Sequence, residues 1–102
     1  MPKKRVVTST KPMRFVTTYG TERSKARQEH AEEREAKRWL QTRLNNARIL
    51  AEKYQLDAVA GITDVAASVK GRDLMAMKPD TVCVWTYEYD NMIVSLAVKR
   101  LP

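Results

Sequence analysis

Apolar and polar positions along this chain follow two different periods, one helical and one extended. From about Glu22 to Gln55 the run ERSKARQEHAEEREAKRWLQTRLNNARILAEKYQ contains no Gly or Pro and is rich in Glu, Arg, Ala, Lys and Leu. These side chains lose little rotamer freedom in a helix, so the spacing predicts one long helix. Projected at about 100° per residue, Ala36, Leu40, Leu44, Ala47, Leu50, Ala51 and Tyr54 gather on one side, a face meant for burial. The same side continues toward the N-terminus as Glu22, Glu29 and Glu33, carboxylates that a core does not accept without partners. The half from Glu22 to Glu35 is therefore expected to overhang the core. A rod of this length, at ~1.5 Å per residue, would also outrun a domain whose radius of gyration is ~13 Å.

The extended period appears twice. Met13, Phe15, Thr17 and Tyr19 alternate with Arg14, Val16 and Thr18, which predicts a strand ending near Gly20. At the C-terminus, Thr81–Tyr89 and Met92–Arg100 are both β-favourable, and Asp90-Asn91 between them suits a two-residue turn. Folding about that turn sets Tyr89 against Met92, Tyr87 against Val94, Trp85 against Leu96 and Cys83 against Val98. All of these are apolar or aromatic, as one core face requires. Between helix and hairpin, Thr63 to Val69 reads as a short helix after Gly61, and Asp73 begins a further turn that Pro79 stops.

These elements predict an α+β domain over residues 12–102, with the long helix on a small antiparallel sheet and one or two short helices between. Residues 1–11 are expected to form a flexible basic arm. A winged-helix arrangement is a second way to order the same elements. Against it, Arg72–Lys78 offers Leu74, Met75 and Met77 where a recognition helix needs polar base-readers.

Composition narrows what such a domain does. The chain has 102 residues, is 43% hydrophobic and carries a net charge of +7. No apolar run approaches the ~18 residues of a membrane span, and MPKKRVV lacks the apolar core of a secretory signal. A soluble, cytoplasmic protein is expected. Residues 1–28 hold eight Lys/Arg against Glu22 alone, so the basic excess sits in the first quarter of the chain. A basic segment on a near-neutral domain points to an anionic partner.

Candidate chemistry is sparse. His30 and Cys83 are the sole His and Cys, which removes sites built on paired imidazoles or thiolates. His30 and Glu33 stand one helical turn apart but have no second set of ligands. The three glycines are too scattered to cradle a phosphate. No catalytic residue, metal or cofactor is expected. The remaining signal is a stripe on the polar side of the long helix, comprising Arg23, Arg27, Arg34, Arg38 and Arg48, whose guanidinium groups suit phosphate oxygens.

The expected function is therefore non-enzymatic binding. Nucleic-acid phosphates would meet Lys3, Lys4, Arg5, Lys11, Arg14, Arg23, Arg27, Arg34 and Arg38 on the arm and the outer half of the helix. The alternative is a protein-binding module, an inhibitor or regulator that docks an acidic surface of a larger protein. A monomer is expected, because the helix overhang lacks a sustained apolar seam.

Overall fold

The computed structural model describes residues 12–102. In chain order they form strands β1 (Phe15–Gly20) and β2 (Lys25–His30), helices α1 (Glu33–Lys53) and α2 (Val59–Gly71), a 3₁₀ turn at Leu74–Ala76, and strands β3 (Val82–Tyr89) and β4 (Met92–Arg100). The strands make one antiparallel sheet in the order β2-β1-β4-β3. Both helices cover the same sheet face, so the architecture is α+β in two layers.

The C-terminal hairpin has the expected register, from Tyr89 opposite Met92 to Val82 opposite Lys99. Asp90 and Asn91 both take positive φ, 48° and 65°, as a two-residue turn between right-twisted strands demands. The inward row of this hairpin and the inward row Phe15, Thr17 and Tyr19 of β1 form the floor of the core. Leu40 and Leu44 of α1 and Ile62 and Val69 of α2 close it from above, all at most 1% exposed. Leu74, in the 3₁₀ turn, plugs the end, and Asp73 caps that turn by accepting from the Met75 amide at 3.1 Å.

The long helix is shorter than the sequence suggests. α1 begins at Glu33, and residues 22–30 supply a turn and the edge strand β2. Helix propensity in six residues is worth only a few tenths of a kcal/mol each, less than a six-pair ladder with β1 and the burial of His30. A period-2 pattern lies inside the apparent helix: Lys25, Arg27 and Glu29 are charged and face outward, while Ala26, Gln28 and His30 are not and share the face of Tyr19, Thr17 and Phe15. The reversal depends on Gly20, at φ 153°, where an added Cβ would lie 2.1 Å from the Ser24 carbonyl oxygen. Only glycine accepts that backbone without strain.

Two smaller expectations also change. α2 starts at Val59 and runs through Gly61, where an added Cβ would meet Tyr87 at an ordinary contact distance of 3.6 Å. Leu50 and Tyr54, assigned to the buried side of α1, are exposed near its C-terminal end. The burial stripe there narrows to Ala47 and Ala51. Gln55, at φ 56°, then ends α1, and the Leu56 amide donates back to the Ala51 carbonyl at 2.8 Å. Trp85 meets α2 rather than the long helix, donating from Nε1 to Ser68 Oγ at 2.9 Å.

Candidate functional site

Because β2 is a strand, its inward row faces the flank of α1 across an open groove of about 430 Å³. Gln28 and His30 line it from β2, and Glu35, Arg38, Trp39, Thr42 and Arg43 from α1, with Glu29 at the rim. Side chains four apart on a helix stack along one flank, and here that spacing sets Arg43 over Trp39. The guanidinium carbon lies 3.6 Å from the indole centroid, and Nη1 donates to the Trp39 carbonyl at 3.2 Å. A guanidinium held over an aromatic ring has already lost much of its rotamer freedom, yet keeps donors for an anion. Neither Arg38 nor Arg43 forms an ion pair among the described residues.

His30 anchors the floor of this groove. Its ring is buried and stands edge-on to Trp39 at 6.0 Å between centroids. Thr17 Oγ1 donates to the Gln28 carbonyl at 3.3 Å and lies 2.8 Å from His30 Nε2. With its own hydrogen used, Thr17 accepts from Nε2–H, which assigns the neutral ring that tautomer. Burial pushes the His30 pKa below the ordinary value; the Glu35 carboxylate opposes that and the Arg43 charge reinforces it. Deeper under α1, the Tyr19 and Tyr87 hydroxyls hydrogen-bond to each other, and burial raises the pKa of both. A phenol held protonated this way is a packing group, not a base at neutral pH.

The residues expected to grip phosphate do not form one stripe. Arg23 sits in the turn between β1 and β2, and Arg27 on the outward sheet face, paired with Glu29 at 3.0 Å. Arg34 and Arg38 project from the first turns of α1, with Arg34 3.8 Å from Glu32. Arg14 is exposed just before β1. Lys3, Lys4, Arg5 and Lys11 lie outside the described residues. What the fold brings together instead is Arg38 with Arg43, Trp39, Gln28 and His30. Of these, Arg43, Trp39 and Gln28 fall on neither face singled out by the helical projection. The Trp39–Arg43 spacing of four was the available signal.

Among the described residues, no group of three or more His, Cys, Asp or Glu is placed to hold a metal ion. No helix among them is long and apolar enough to cross a membrane. No family model, curated protein or solved structure matches the chain.

Proposed function

We propose that this chain is a small non-enzymatic nucleic-acid-binding protein whose phosphate contacts centre on the groove between β2 and α1. The observation that supports this is the pair Arg38 and Arg43, two guanidinium groups without an ion-pair partner among the described residues, beside the half-buried Trp39. Arg43 is pre-oriented by its stack, so binding a phosphate costs little further ordering. Arg34, one turn before Arg38, adds a further positive charge along α1, whereas Arg23 stands apart, beside Asn91, Met92 and Ile93 at the other end of β2. The basic residues of the first eleven positions add charge by sequence alone. Such a surface binds backbone rather than reading bases, and its affinity falls steeply with salt.

A protein target is the second reading. Leu50 and Tyr54 present an apolar step one turn apart on the exposed end of α1, at 45% and 61% exposure. An i, i+4 pair of this kind can seat in a partner's groove. Capture from lysate with and without nuclease separates the two. Loss of the bound material on nuclease treatment supports nucleic acid; a stoichiometric protein that survives nuclease and moderate salt, and is lost with Leu50→Asp, supports docking.

A further inference from the structure

The sheet has two edges, and they are finished differently. In a hairpin closed by two residues, the pair flanking the turn exchanges both backbone hydrogen bonds, and every second pair does so after it. In β3 these are Tyr89, Tyr87, Trp85 and Cys83, and the Arg100 amide bonded to the Thr81 carbonyl at 2.9 Å continues the series. The outward N–H and C=O groups therefore belong to Val82, Val84, Thr86 and Glu88. At the other edge, the Thr21 amide bonded to the Ser24 carbonyl sets the same alternation and leaves the outward groups to Lys25, Arg27 and Glu29. Every residue presenting backbone from β2 is charged, which blunts that edge.

β3 has no such protection. It runs Val-Cys-Val-Trp-Thr-Tyr-Glu-Tyr, eight residues with one charge and no proline. Among the described residues, no hydrogen bond reaches the backbone of Val82, Val84, Thr86 or Glu88 from outside the hairpin. Val82 and Val84 stand more than half exposed, and Cys83 and Trp85 on the inward row are only half covered. A long, apolar edge with free backbone groups is a template for another strand.

We infer that this edge pairs antiparallel with β3 of a second copy about a two-fold axis, joining the two sheets into one of eight strands. Charge along the edge favours a copy in that orientation. The turn end of β3 is acidic, with Glu88 beside Asp57 and Asp90 around one shallow cleft. The opposite end is basic on balance, with Lys78, Lys99 and Arg100 against Asp80: Lys99 is in register with Val82 and 3.9 Å from the Asp80 carboxylate, Arg100 is bonded to Asp80 and Thr81 through its backbone, and Lys78 is bonded through its carbonyl to Thr81. Antiparallel pairing lays each acidic end on the partner's basic end, whereas parallel pairing stacks like on like. Outward-bonded residues must face one another, so Val84 meets Thr86 of the second copy and Val82 meets Glu88, which then reaches toward Lys99 beyond it. The pairing uses one edge of each copy and the other edge is blunted, so assembly closes at two. A contact made through one strand edge is expected to be weak, with association at roughly 10–100 µM.

Sedimentation equilibrium of the full 102-residue chain over about 5 µM to 1 mM, with amide exchange at both ends of that range, tests the pairing. The apparent mass should double, and protection of the Val82, Val84, Thr86 and Glu88 amides should rise with concentration. Val84→Lys, a change at an exposed side chain, should weaken association about tenfold or more, the loss of ~1.4 kcal/mol, with an unchanged circular dichroism spectrum. A wild-type chain that stays monomeric throughout overturns the inference, as does a folded V84K chain that associates like its parent. Protection of those four amides that is already complete at the lowest concentration in a monomer also overturns it, because residues 1–11 or another ligand would then hold the edge.

Discussion

Burial among Thr17, Trp39 and the β1–β2 ladder favours the neutral form of His30; the Glu35 carboxylate opposes this and the Arg43 charge reinforces it. The folded pKa of His30 is therefore depressed below the unfolded value of ~6.5. Below that pH the unfolded chain binds the proton that the folded chain resists, so stability rises with pH there. The stabilising contribution is complete above about pH 6.5 and is lost progressively as pH falls toward the lower folded pKa. Urea midpoints measured between about pH 7.5 and 5 should fall with pH, and His30→Gln should flatten that part of the dependence. At Gly20 the constraint is steric. Gly20→Ala puts a methyl group into the Ser24 carbonyl at a φ that L-residues avoid. It should destabilise by about 2 kcal/mol or more, read as a lower urea midpoint, with the β1–β2 hairpin the first element to lose amide protection.

At the scale of elements, the boundary between β2 and α1 is where sequence and structure part. The C-terminal hairpin was legible to the residue, because period-2 alternation, turn chemistry and cross-strand pairing all agree on one register. Strand β1 was legible for the same reason, and so were Leu40 and Leu44 as the core stripe of α1. β2 was not, because Lys, Ala, Arg, Gln and Glu are strong helix formers, and a strand's partner is invisible in local composition. The groove followed it into obscurity: its two walls come from segments that a continuous helix would have placed on one rod. Glu33 shows what replaces that continuity. Its Oε2 accepts from the Leu74 amide at 2.6 Å and lies 3.9 Å from Lys37 Nζ. One carboxylate thus ties the start of α1 to the turn before β3. Glu33→Ala leaves a part-buried amide without its acceptor and should cost about 1 kcal/mol in urea denaturation, with Glu33→Gln recovering part of it.

At the scale of the whole molecule, the described residues carry fifteen Lys/Arg against twelve Asp/Glu. With a balance that even, the placement of the charges rather than their sum sets where positive potential gathers. Arg27, Arg34 and Arg48 are paired with Glu29, Glu32 and Glu52 on the surface, each pair worth ~0–1 kcal/mol and screened by salt. Arg38 and Arg43 are left to the groove, and Trp39 holds one of them in place. The most direct test is a fluorescence-anisotropy titration of a labelled oligonucleotide, single-stranded and duplex, across about 50–300 mM salt, with the parent chain and Arg38→Gln/Arg43→Gln. The expected result is salt-dependent binding whose log–log slope falls by about 2 units in the double variant, roughly one per lost phosphate contact. The fold should be unchanged, since neither guanidinium is buried in the core. Binding absent at the lowest salt, or equal in affinity and slope for parent and variant, would contradict it.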